Sequence, residues 1–166
     1  MTVRANLSAA ISKGREQADN RKMAAARREI SRNPAKAKLD DIGVHIRAID
    51  KQVRLAHEAE SQAEPVLNLI LDALEATPTM PEESKQRLLT LGDAAAKDRT
   101  NYQQRLEQID KQAKAFKDNP DHDPLMWTMD SLGICSAAES ARTDYVKLIS
   151  DTFVDVNATV TSIKGD

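Results

Sequence analysis

Aromatic residues are scarce in this chain: one Trp, two Tyr and two Phe, 3% of 166 positions. Aromatic side chains bring the largest burial per residue, so a core built with so few is thin and aliphatic. Long helices laid side by side have such cores, whereas thick sandwiches and α/β domains generally do not. The breakers are sparse too, with five glycines and six prolines, against an abundance of Ala, Lys, Arg, Glu, Gln and Leu, the residues that favour helix. Cysteine is limited to Cys135. One cysteine excludes a disulfide within the chain and points, weakly, to a reducing compartment. No apolar run approaches the roughly 18 residues of a membrane span. The first residues, Met-Thr-Val-Arg-Ala-Asn, lack the apolar centre of a signal peptide. The expectation is a soluble cytoplasmic protein, alone or within a larger particle. On that expectation the glycosylation-type triplet Asn157-Ala-Thr159 carries no weight.

Charge is nearly balanced overall, at −2, but unevenly placed. Met1–Lys38 holds ten Lys and Arg against three acidic residues, a balance of +7; the remainder has fourteen against twenty-three, or −9. A basic arm on an acidic body raises nucleic acid, an anionic surface or self-association as partners.

The longest pattern runs from Leu39 to Leu74. Leu39, Ile42, Ile46, Ile49, Val53, Ala56, Glu60, Ala63, Leu67, Ile70 and Leu74 recur at alternating steps of three and four, the mark of a helix with one narrow apolar seam. Asp40-Asp41 suits its start and Ala76 its end. Pro65 falls inside it, after Ser61-Gln-Ala-Glu64, which reads as a capping box. The unbroken phase favours a kink at that point. Beyond it the apolar face widens through Val66, Leu69 and Leu71.

Pro81 followed by Glu82-Glu83 starts the next helix. It runs to about Lys117, with the seam Leu88, Leu91, Ala95, Asp98, Tyr102, Leu106, Ile109, Ala113, Phe116. The step of four from Tyr102 to Leu106 is a stutter, which locally relaxes a supercoil. Asp123-Pro124 starts the last helix, which extends to about Lys164 with the face Met129, Leu132, Cys135, Ala138, Arg142, Tyr145, Ile149, Phe153, Val156, Val160, Ile163. Before all these, a shorter helix spans about Leu7 to Arg32 and stops at Asn33-Pro34. Its seam of Leu7, Ile11, Gly14, Ala18 and Ala25 is weak. Basic rows flank that seam, Arg21, Arg28 and Arg32 on one side and Arg4, Arg15 and Lys22 on the other.

Three long helices of about 55–60 Å at 1.5 Å per residue, joined by two tight turns, make antiparallel neighbours. The expected fold is all-α: an elongated antiparallel up-down-up bundle over residues 39–166, preceded by a shorter basic helix over 1–38.

Four features bear on function. Folding the helices back across their turns brings Glu60, Asp98 and Arg142 to one level, where a polar layer would set register or snorkel to water. The same level is the one place where a small-molecule site would form. The basic helix, through Arg4, Arg15, Arg21, Lys22, Arg28 and Arg32, suits phosphate contacts that do not read bases. It also suits an acidic protein surface, such as the flank of the second helix at Asp50, Glu58 and Glu64 or another subunit. Trp127, among Leu125, Met126 and Met129, plugs the end of the bundle or anchors a partner. Asp121-His-Asp123 is three potential ligands on one short loop, weak evidence for a metal, and Asp123 already suits a helix cap. A di-metal bundle needs Glu-x-x-His pairs on facing helices; the chain offers only the reversed His57-Glu-Ala-Glu60, once. His45 and His57 lie beside the seam as surface residues. No cofactor or catalytic constellation is expected. The leading expectation is a non-enzymatic structural or adaptor protein that assembles with itself or into a larger complex, of which a virion or secretion-type component is one kind. The rival is a nucleic-acid-binding protein that grips phosphates with its first helix.

Overall fold

The computed structural model describes the backbone of residues 3–32 and 34–165, and the side chains of residues 10–25, 27, 28 and 42–165. Among these residues every regular element is helical: α1 (Val3–Arg32), α2 (Pro34–Ala59), a 3-10 turn (Glu60–Gln62), α3 (Ala63–Ala76), α4 (Glu82–Asp118) and α5 (Pro124–Lys164). Among the described residues no helix is long and apolar enough to cross a membrane. The chain divides into two compact units. One comprises Met1–Asp50 with Gln112–Ser136, the other Lys51–Lys111 with Ala137–Asp166.

The helix starts follow local chemistry. Pro34 opens α2, six residues before the expected Asp40-Asp41. Proline fits the first helical position because its φ is already helical and its missing N–H would be unpaired there anyway. At α5, the Asp123 carboxylate accepts the Leu125 N–H at 3.0 Å. The loop before it is tied by the Asp123 N–H on the Asp121 carboxylate, at 2.9 Å. The capping box expected at Ser61 does not form. The Ser61 hydroxyl donates back to the Glu58 carbonyl at 3.0 Å, and α3 starts without a side-chain cap, because the preceding 3-10 turn already supplies helical backbone.

In the second unit the core is Ala56, Ala59, Ala63, Val66 and Ile70 from α2–α3, Leu88, Ala95, Tyr102, Leu106 and Ile109 from α4, and Ala138, Ala141, Tyr145, Ile149, Val156 and Val160 from α5. The α4 row follows its heptads, except that Leu91 and Asp98 are only half-buried. The widened face after Pro65 is covered at Val66 and Ile70, while Leu71 stays 54% exposed. Later positions on α2–α3 pair with earlier positions on α4: His57 meets Asp110, Glu60 meets Gln103, and Ile70 lies against Gly92. A Cβ added at Gly92 would stand 3.5 Å from the Ile70 side chain, an ordinary contact, so the approach does not depend on glycine.

The α5 face departs from expectation. Thr128, Ser131, Ile134, Ala141, Thr152 and Thr159 are buried, whereas Leu132, Cys135 and Arg142 are only half-buried and Met129 and Phe153 are exposed. Bulky residues misplace the seam because small hydroxyl residues can fill it. Thr152 and Thr159 donate to the carbonyls of Leu148 and Asp155, one turn earlier, both at 2.9 Å. With the hydroxyl satisfied inside its own helix, the methyl faces the core.

In the first unit the core is Ile49, Ala113, Phe116, Trp127, Thr128, Ser131 and Ile134. Lys117 forms an ion pair with Asp50, and Thr128 meets the His45 ring at 3.4 Å. On α1, Ile11 is 51% exposed, Ala18 and Ala25 are exposed, and a Cβ added at Gly14 would meet nothing within 4 Å. Leu7 and Leu39, the outermost members of their seams, have side chains outside the described residues.

Candidate functional site

The chain's two tyrosines organise the second unit. Tyr102 on α4 and Tyr145 on α5 stack with ring centroids 4.0 Å apart and planes within 2°. Both hydroxyls turn to backbone carbonyls of α2 and the 3-10 turn after it. Tyr102 donates to the Ala56 carbonyl and Tyr145 to the Glu60 carbonyl at 2.9 Å. Glu60 begins the 3-10 turn, and its carbonyl also accepts the Ala63 N–H at the far end of that turn. A hydroxyl bonded to the first carbonyl of such a turn, close to a proline, gives the local change of helix geometry an identifiable cause. Where the sequence favours a kink at Pro65, the helix passes through a 3-10 turn over Glu60–Gln62, whose first carbonyl is held by α5. Room for the rings comes from the alanines of the unit's core, since Ala56, Ala59, Ala63 and Ala141 are all buried. Large against small is how helices interdigitate without voids.

Electrostatics keep the rings neutral. Burial, reinforced by the neighbouring phenol, pushes the Tyr102 hydroxyl up to about 12. Burial raises Tyr145 as well, against the nearby Arg99 guanidinium. At neutral pH both are proton donors committed to carbonyls, an arrangement that locks register.

The expected polar layer is only partly assembled. The Glu60 carboxylate accepts from Gln103 at 2.6 Å and from the Arg99 Nε at 3.4 Å, and Arg99 also reaches Glu64 at 3.7 Å. The cation that meets Glu60 is therefore Arg99. Asp98 and Arg142 are half-buried; Asp98 bears on Tyr145 and Arg142 on Tyr102. Ala141 takes the seam position assigned to Arg142, for the reason given for α5. Arg99 and Gln103 were legible in principle: folding across Pro78–Pro81 brings Arg99 as close to Glu60 as it brings Asp98, and charge sign selects the arginine.

Other candidates are placed as follows. Trp127 is 4% exposed, and its indole N–H donates to the Asp121 carbonyl, so the ring closes its own loop and offers little surface. Asp121 and Asp123 serve backbone amides. Among the described residues no three His, Cys, Asp or Glu side chains gather as metal ligands. His57 pairs with Asp110 at 2.9 Å on the surface. Arg15, Arg21, Lys22 and Arg28 are exposed on α1; the side chains of Arg4 and Arg32 lie outside the described residues. An open groove of about 460 Å³ lies between the end of α4 and the start of α5. No sequence pattern announced it, because it lies where seam residues leave space.

Comparison with protein-family models, with curated proteins and with solved structures finds no match for this chain.

Proposed function

We propose that this chain is a non-enzymatic structural or adaptor protein, an up-down-up bundle of long helices behind a basic first helix, that assembles with itself or into a larger complex. The observation that carries the reading is the uncovered apolar arc of α1, with Ile11 half in water and Ala18 and Ala25 exposed. A helix whose apolar side faces water gains by finding a partner. The polar groups at the centre of the second unit support the same reading, since they hold backbone and one another. Light scattering across a concentration series tests it. A mass above one chain is expected; a strict monomer that captures nothing overturns it.

The exposed Arg15, Arg21, Lys22 and Arg28 favour a second reading, phosphate contact with nucleic acid. That reading requires a mobility shift that weakens steeply with salt and is lost when residues before Lys38 are removed.

A further inference from the structure

We propose that α1 of one copy docks in the groove between α4 and α5 of a second copy. This rests on the self-association reading and names its surface. The groove of about 460 Å³ has a floor that includes Phe116, Met129, Gly133 and Ile134, and it is lined also by Asp121 and Asp130. Met129 lies 40% exposed there, and a Cβ added at Gly133 would meet nothing within 4 Å. The space is open and apolar, with acid beside it.

The α1 helix carries the complement. Ile11, Gly14 and Ala18 fall on one face over two turns, a single bulky knob followed by residues small enough for close backbone approach. Charge selects the occupant. Between residues 10 and 28 the described side chains include six cations, among them Lys13, Arg15 and Arg21, against Glu16 and Asp19. Two α1 helices laid together would oppose like charges. Asp121 and Asp130 have the opposite sign, and among the described residues neither is in an ion pair.

The geometry of the chain selects a second copy over the same one. A helical hairpin takes a loop of about 2–5 residues, whereas one position separates Arg32 from Pro34. The α1 helix therefore does not reverse onto its own unit, and a neighbouring copy has no such constraint.

Sedimentation velocity on the full chain tests this with Ile11→Asp and Gly133→Leu. Each substitution sits in open space, so both variants keep the wild-type helix content and unfolding midpoint to within a small shift. Each is expected to weaken self-association at least tenfold. An equimolar mixture recovers a heterodimer, since one variant has an intact groove and the other an intact α1. Variants that associate like wild type, or a mixture that recovers nothing, overturn the groove assignment and leave self-association standing. A wild-type chain that stays monomeric at every concentration overturns both, and one that also shifts duplex DNA in a gel turns α1 over to nucleic acid.

Discussion

Helices α1 and α4 are almost equally polar on average, yet they behave in opposite ways. The α4 row of Leu88, Ala95, Tyr102, Leu106, Ile109, Ala113 and Phe116 is buried throughout. The α1 row at Ile11, Ala18 and Ala25 is exposed. Composition therefore does not decide burial. What differs is the area gathered on one face: α4 concentrates large side chains in register, and α1, among its described seam residues, offers one isoleucine with alanines and a glycine. Apolar burial contributes about 25 cal/mol per Å², so the α4 face holds neighbours within the chain, while the α1 face is too small to do so unless a shaped partner and charge add to it.

The sharpest way to press that contrast is to shorten a side chain in each row. Leu106→Ala, at a position 2% exposed, is expected to lose about 2–5 kcal/mol of stability in urea unfolding. Ile11→Ala should move the same midpoint by under about 0.5 kcal/mol and act on association instead. Equal losses at the two sites would erase the distinction.

The next effect lies at the tyrosines. Tyr145→Phe keeps the stack but removes the donor to Glu60, for a loss of about 0.5–1.5 kcal/mol. The pH dependence follows from Tyr102, whose hydroxyl is raised to about 12 from an ordinary 10. The folded form holds its proton more tightly than the unfolded one, so the stabilisation is complete below pH 10 and is lost as pH rises towards 12. Unfolding midpoints taken between pH 9 and 12 should fall, and Tyr102→Phe should flatten that slope.

Smaller still is Thr152→Val. Its hydroxyl bonds its own helix, so exchange for a methyl should change stability by less than about 1 kcal/mol; a large loss would mean that the hydroxyl serves another element. Least of all is Asp144→Asn. It breaks the exposed pair with Arg105, at 3.2 Å, and such pairs contribute at most about 1 kcal/mol.

Much of the helical framework was legible. Pro81 and Asp123-Pro124 marked helix starts within a residue or so, and the α4 heptads picked out its buried row, because local geometry and large apolar side chains act over a few residues. The α5 seam was not legible in the same way. A search for bulk placed Arg142 and Phe153 inside, when Ala141 and Thr152 were the buried residues beside them. A threonine that satisfies its hydroxyl on the preceding turn is apolar towards the core, and sequence spacing does not reveal which way it turns. The candidate site divides similarly. Glu60 was legible as a polar interruption of a seam, but its partner Arg99 depended on a choice between adjacent residues that only packing makes.

The sequence by itself determined that this chain is helical, where α4 and α5 begin, and that its cations gather at the start, because propensity, proline geometry and charge are properties of short stretches. Tertiary structure alone decided that Tyr145 bonds the Glu60 carbonyl in the turn before Pro65, that threonines fill the α5 seam, and that a groove opens beside Gly133. Each depends on the rotation of one helix against another, and that rotation is fixed by the fit of side chains far apart in the chain.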